Sequence, residues 1–287
     1  MIYDRTTKTW SKEEQFGGRL LQILYTAAFK PLRPWFLKPA FSDIAANILD
    51  KRYDRGKIQG WMAAQGIDPN LFEGYPYETF KEFFLRRYKQ AAVPQTLPGE
   101  VIAPSDGKVV TYPITAGLKV AVKGVTYSVK DLLGGSESAN LFAEGQLFII
   151  RLSLHDCHRF IYTESGPLSG QAFKRVPGRL HTVSDYSAKE PVLKENERSY
   201  SIIESRHGLV GVMEVGALLV GRIRYHRTTA ALRYRERGWF EPGGSTILLF
   251  YQKGMIKPDL DIIRETLSGN EVKVKLGERI GQYAATT

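Results

Sequence analysis

Cysteine is nearly absent: Cys157 is the only one among 287 residues. A single thiol excludes an intrachain disulfide and an all-cysteine metal site, and it fits a reducing compartment. Long apolar runs are absent too. The stretch within Arg19–Lys30 holds about ten apolar residues, which cover about 15 Å as a helix, half of a hydrocarbon core. The opening Met1-Ile2-Tyr3-Asp4-Arg5 lacks both the basic region and the apolar core of a signal peptide. There is no internal repeat, low-complexity tract or nucleotide-binding glycine loop, and the bases form no recognition-helix pattern, so no nucleic-acid partner is expected. Acids are missing from Gln15 through Ser42, a stretch that carries Arg19, Lys30, Arg33 and Lys38.

What is present is a basic, globular composition. Forty Lys and Arg against 30 Asp and Glu give a net charge of +10, with 43% hydrophobic residues. The length suits one good core with a smaller appendage. The charge calls for an anionic partner: a nucleic acid, a membrane surface or an acidic substrate. The acid-free segment, which also bears Trp35 and Phe36, suits lying on an anionic bilayer; it suits equally a helix packed on its own domain with a solvated basic rim.

Residues 1–90 read as a helical, membrane-associating region. Leu20, Leu21, Ile23, Leu24, Ala27 and Ala28 recur at helical spacing, and Asp43–Gln65 reads as one or two more helices. Tyr77–Tyr88 predicts a helix with Phe80, Phe83, Phe84 and Tyr88 on one face, an aromatic stripe of the kind that packs in a core. Pro94 and Pro98 break the pattern. From Val101 onward the apolar residues come in short runs: 108–112, 119–122, 147–154, 199–204, 209–215, 217–223 and 245–251, with one more at 271–276 in a polar tail. The predicted class is α+β, with a β-rich sheet or sandwich domain over 91–287.

Chemistry centres on Phe240-Glu-Pro-Gly-Gly-Ser-Thr-Ile-Leu-Leu-Phe250. Pro242 and two glycines allow a sharp bend before a buried strand, and Ser245 follows a carbonyl, that of Gly244, which no side chain shields. Such a serine can attack that carbonyl if a base takes its proton and donors hold the oxyanion. Alone, the segment is equally a hairpin turn, and Ile247 excludes a Gly-x-Ser-x-Gly nucleophile elbow. Four other places carry reactive side chains: Ala103–Val109 with Asp106, Leu152–Phe160 with His155, Asp156 and His158, Gly178–Val183 with His181, and Asn196-Glu197-Arg198. Their plain alternatives are a turn former, hydrogen-bonded structural histidines and a surface charge pair.

In order and spacing these segments resemble the phosphatidylserine decarboxylases. The similarity runs from about Phe80 to about Lys253. It rests on Ala-Pro-x-Asp-Gly (103–107), Lys123-Gly124 with Tyr127-Ser128 and Leu132-Leu133-Gly134, Asp-x-His-Arg (156–159), Asn-Glu-Arg (196–198), Val215–Gly221 and the terminal Gly-Ser-Thr. The resemblance implies a precursor that cuts itself between Gly244 and Ser245 into a β chain, 1–244, and an α chain, 245–287. Ser245 Oγ would convert the peptide bond to an ester. Loss of the Ser245 α-proton would then expel the Gly244 carboxylate, leaving a dehydroalanine that hydrolyses to a pyruvoyl cofactor and ammonia. That ketone would form a Schiff base with the amine of phosphatidylserine and take up the electrons released with CO2, yielding phosphatidylethanolamine.

The same resemblance makes Asp106 the acid that orients the cleavage base, His158 the decarboxylation histidine with Asp156 beside it, and Lys123 and Tyr127 substrate-binding residues. It suggests a homodimer, peripheral on the cytoplasmic side of the cell membrane, and involves no metal. Two positions depart from the pattern. Ile161 stands where much of the family has a second histidine, the base for self-cleavage, and Cys157 where Tyr is usual. Either the chain is not processed or another histidine has taken over. His181 is the expected substitute, because strand alternation would turn His155 away from the site. A pyruvoyl decarboxylase of a soluble amino acid and an unprocessed, non-catalytic membrane-surface protein are the alternatives.

Overall fold

The computed structural model describes residues 1–12, 53–169, 173–181, 191–217, 223–241 and 245–284, with scattered positions between 23 and 51. The chain opens with strands β1 (Ile2–Asp4) and β2 (Thr9–Ser11). Next come β3 (Glu100–Ile102), β4 (Gly107–Pro113), β5 (Lys119–Val122) and β6 (Val125–Ser128). Then follow β7 (Gln146–Leu152), β8 (Arg159–Ile161), β9 (Gly166–Pro167) and β10 (Lys174–Val176). The strands β11 (Arg198–Ser205), β12 (Gly208–Gly216), β13 (Ile223–Tyr225), β14 (Ala230–Ala231) and β15 (Glu236–Phe240) precede the glycine turn. Beyond it lie β16 (Ser245–Tyr251), β17 (Ile256–Pro258), β18 (Glu271–Val274) and β19 (Arg279–Tyr283).

Nine of these strands form one sheet in the order β10-β11-β12-β16-β7-β4-β18-β1-β2. All neighbours are antiparallel except β1 and β18. Strand β16 lies in the middle, and every one of its residues is buried. A strand covered on both faces needs no polar alternation, which is why Ile247–Tyr251 reads as an unbroken apolar run. On one face Ile247, Leu249 and Tyr251 join Phe148, Ile150, Phe160 and Phe240. On the other, Leu248 and Phe250 pack with Leu147, Ile149, Met213 and Val215. The first face is covered in part by the three-stranded sheet β13-β15-β8. It also holds Glu214 and Arg237, both fully buried, joined by Arg237 Nε to Glu214 Oε1 at 2.8 Å and ringed by Tyr162, Phe173 and Tyr225.

A smaller cluster packs the helices Arg55–Ala64 and Phe80–Phe84: Ile58, Met62, Phe72, Tyr77, Phe80, Phe83 and Phe84, together with Cys157 from the sheet body. Thr79 caps the second helix, accepting from the Glu82 main-chain N–H at 3.2 Å. The helix is shorter than the pattern over 77–88 predicts. After Leu85 the chain leaves it, Tyr88 bridges back to Phe72, and Arg86 and Tyr88 turn into the sheet body.

The first twelve residues correct the helical expectation for 1–90. They form two strands because Ile2-Tyr3-Asp4 pairs in register with Glu271-Val272-Lys273. Arg5 fixes them there, with Nε 2.6 Å from Asp261 and Nη2 2.7 Å from Asp259. The amphipathic segment at 19–30 and the strand expected at 217–223 fall largely outside the described residues, whereas 31–38 holds a short helix, Arg33–Phe36. The tail after Pro258 contains a helix, Leu260–Leu267, in addition to β18; Ile262 anchors it in the core.

Candidate active site

Five strands end in one row. Gly216 pairs with Ser245, Ser245 with Leu152, and Gly107 with Val274, while Lys108 pairs with Arg151 next to them. The turns beyond these ends bring Asp106, the segment Ser153–His158 and Lys275-Leu276 to the same edge of the sheet. Gly107 permits the close approach: a Cβ there would lie 2.8 Å from the Arg151 carbonyl oxygen, and its φ is +157°.

Asp106 is buried and fully coordinated. Its carboxylate accepts from the Tyr88 hydroxyl at 3.0 Å, from Leu276 N at 2.9 Å and from Cys157 N at 3.3 Å, and Lys275 Nζ lies 3.7 Å away. Asp156, two residues before His158, is bound by Lys108 Nζ at 2.7 Å and by Ser153 N at 2.7 Å. Burial opposes its ionisation, but Lys108, with His155 and these hydrogen bonds, outweighs burial and holds the carboxyl below its usual range.

His158 is wholly buried, stacked on Phe84 with ring centroids 3.7 Å apart. Its Nδ1 lies 2.9 Å from the Asp156 carbonyl oxygen. A carbonyl only accepts, so the neutral ring carries its proton on Nδ1 and presents a lone pair at Nε2. That Nε2 has no hydrogen-bond partner among the described residues. Burial, helped by Arg86 and Lys108 and opposed by Asp156, pushes the ring down to about 3, so it is neutral at physiological pH. Ser245 is the first residue of β16, is also wholly buried, and its Oγ likewise has no partner among the described residues. Its side chain shares the Ile247, Leu249 and Tyr251 face. Residues 242–244, with the proposed scissile bond, lie outside the described residues.

His181 reaches the row through Asn196. Asn196 Oδ1 accepts from His181 N at 2.7 Å, and Asn196 Nδ2 donates to the carbonyls of His181 and Gly216 at 2.9 and 2.7 Å. Gly216 is the partner of Ser245. His181 is buried, with Nε2 2.9 Å from Glu195 Oε2.

Three expectations change. His155 does not point away: β7 stops at Leu152 and 153–158 is a turn, so strand parity does not apply, and His155 Nε2 lies 3.2 Å from Lys108 Nζ. Arg198 is no surface charge; it is buried and donates to the carbonyls of Leu132, Asp131 and Asn196. Lys123 and Tyr127 lie away from the row. Lys123 pairs at 2.8 Å with Glu271, at the opposite end of β18 from Val274. Tyr127 packs in the second core, where burial pushes its hydroxyl up to about 12.

Lys108, Tyr88 and Arg86 are the residues that sequence reasoning did not single out as site members, whereas Asn196 lay in a segment that it did. Only Lys108 carried a signal, as a base inside the apolar run of a strand. Ile161 sits in β8 with its N–H on the Pro104 carbonyl at 2.9 Å, packed with Val93, Ile102 and Leu276 beside the Asp106 turn. The assembly offers a secluded hydroxyl, a neutral imidazole with a free lone pair, two fixed carboxylates and a buried ammonium group. It can move a proton at a group that water does not reach.

A family model described as phosphatidylserine decarboxylase matches residues 80–282. Among curated proteins, "phosphatidylserine decarboxylase proenzyme 2" of Clostridium acetobutylicum is 34% identical, covering 98% of this chain and 98% of its own length. The phosphatidylserine decarboxylase proenzyme of Ruminiclostridium cellulolyticum is 35% identical, covering 98% of this chain and 96% of its own. That of Desulfitobacterium hafniense is 32% identical over 97% of each. Matched over most of its length by the family model and over nearly all of it by these relatives, the chain belongs to the phosphatidylserine decarboxylase family and is a carboxy-lyase.

Proposed function

We propose that this chain cuts itself between Gly244 and Ser245 and then converts phosphatidylserine to phosphatidylethanolamine and CO2. The observation that carries the reading is the meeting of Ser245 and His158 at one edge of the sheet, both wholly buried, with Ser245 Oγ and His158 Nε2 unpartnered among the described residues. A buried polar atom with no hydrogen bond costs about 1–3 kcal/mol, a cost that fits a group held ready for reaction.

Residue 245 fits the pyruvoyl group. It follows a glycine, starts a buried interior strand, and its hydroxyl has no partner among the described residues to give up. Once formed, the group supplies an electrophilic ketone that condenses with the substrate amine and accepts the electron pair left by CO2. The chain's own residues do the rest. Asp106, held by Tyr88 and Leu276 N, fixes the edge electrostatically. His181, against Glu195, is the base for self-cleavage in place of the histidine missing at 161. His158 is neutral and aligned by Asp156, so it takes up a proton at Nε2 and returns one to the substrate α-carbon where the carboxylate departs. No helix among the described residues is long and apolar enough to cross a membrane. Exposed Leu32 and Trp35 fit a segment that rests on an anionic bilayer.

Two measurements test this: the mass of the purified protein under denaturing conditions, and CO2 release from phosphatidylserine vesicles against free serine. Two chains, 1–244 and a shortened 245–287, with release from the lipid, are expected. An active preparation made of one intact chain overturns the mechanism, and release from serine alone overturns the substrate.

A further inference from the structure

A cleft of about 430 Å³ opens beside β8 and β15. Four guanidinium groups line it, those of Arg87, Arg159, Arg227 and Arg235, against one carboxylate, Glu236. That carboxylate is already shared: Arg87 Nε lies 2.9 Å from it, Arg159 Nη1 2.7 Å and His226 Nε2 2.6 Å. Arg227 and Arg235 make no ion pair among the described residues, so the cleft keeps an unbalanced positive charge. Its floor is shared with the reactive edge. Tyr88 and Leu276, which line the cleft, also donate to the Asp106 carboxylate, and Ile161 stands between them in β8.

We infer that this cleft holds the phosphodiester of the lipid head group, with Arg227 and Arg235 as its unpaired ligands; the inference rests on the decarboxylase reading above. A guanidinium matches two phosphate oxygens at once, and a volume of several hundred Å³ takes a head group. The head group also carries a carboxylate, but the phosphodiester is the better occupant. A cation on the carboxylate would stabilise most strongly the ground-state charge that the group gives up as neutral CO2 departs, and so raise the barrier. A cation on the phosphodiester binds ground state and transition state alike. The apolar Ile161 and Leu276 lie where the cleft meets the Asp106 turn, and the arginines lie on its solvent side. The charged linker is thereby held outside and the amino acid end is directed inward.

The consequence is a KM effect without a kcat effect. Both arginines are exposed and their side chains make no hydrogen bond or ion pair among the described residues, so Arg227→Gln/Arg235→Gln leaves the fold intact. The substrate for the test is short-chain phosphatidylserine kept monomeric, which removes any contribution from attraction to a charged bilayer. The double variant should raise KM about tenfold with kcat within about twofold. Inorganic phosphate should compete in the wild type and lose its effect in the variant. An active wild type whose KM for the monomeric lipid is unchanged in the variant overturns this inference alone, whatever happens on vesicles. A wild type that releases no CO2 overturns the decarboxylase reading and this inference with it.

Discussion

Glu214 and Arg237 are as deeply buried as Ser245 and His158, and they share a sheet face with Ser245, yet their chemistry is closed. Glu214 stands two residues before Gly216 on β12, opposite Ile247, so it is a diagonal neighbour of Ser245. Both its oxygens are engaged: Oε1 by Arg237 Nε, and Oε2 by Tyr225 at 2.7 Å and Arg237 Nη2 at 3.3 Å. The guanidinium is ringed by three aromatic faces. At the sheet edge the carboxylates and the lysine are equally well bonded, but the two reactive atoms have no partner among the described residues. Burial alone therefore does not mark function. A buried ion pair with both carboxylate oxygens engaged is architecture, even though Arg237 Nη1 has no hydrogen bond among the described residues, whereas fixed carboxylates and a lysine around an unbonded hydroxyl and imidazole make a reactive site.

The largest expected effect separates the two clusters outright. Ser245→Ala removes an unbonded hydroxyl, so stability should change by less than about 1 kcal/mol, while chain splitting and CO2 release disappear. Glu214→Ala leaves a buried guanidinium uncompensated and should cost about 3–5 kcal/mol. Denaturant midpoints of the two variants check this, and a Glu214→Ala protein as stable as Ser245→Ala would erase the distinction. A smaller effect is expected at Glu195. If it holds His181 as the cleavage base, Glu195→Gln should slow splitting about tenfold, about 1.4 kcal/mol of barrier. Decarboxylation per mole of split enzyme should be unchanged. Time courses of chain separation read the difference, and normal splitting would remove His181 from the reactive group.

The smallest effect is a pH dependence. His158 is pushed down to about 3 in the folded chain, so between that value and its ordinary 6.5 only the unfolded chain takes up the proton. Stability from this residue is therefore complete above that window and falls as the pH drops through it. From pH 7 to 5.5 the loss should be about 1 kcal/mol. His158→Phe keeps a ring against Phe84 and should lose that increment. An unchanged acid dependence in the variant would show that the imidazole is not held neutral.

Much of this was legible in the residues and some was not, for physical reasons. The bounds of β16 follow from the glycine turn and the apolar run, because a strand buried on both faces leaves that signature. Asp106, Asp156, His158 and Ser245 stood out because turn residues and strand ends are where reactive groups gather. Lys108 and Tyr88 escaped because their roles depend on contacts 45 or more residues away, for Lys108 with Ser153, or on a helix ending early. His155 was misplaced because period-two reasoning holds only while the strand lasts, and nothing local marks its end at Leu152. The first strands were hidden because three residues pair with a segment about 270 positions later in the chain.

That last pairing has a consequence for a molecule cut as proposed. The segment from Ser245 onward supplies the interior strands β16 and β18, each seated between strands from before residue 244, and β19, which pairs with β3. Arg5, near the other terminus, grips Asp259, Asp261 and the Arg279 carbonyl, all in that segment. Once the connection is broken, the two polypeptides stay interleaved with no covalent tie. Unfolding would then release the smaller one into solution, and its return would become a bimolecular event. A heated mature enzyme should regain activity in proportion to its concentration, while the uncut Ser245→Ala chain refolds independently of it.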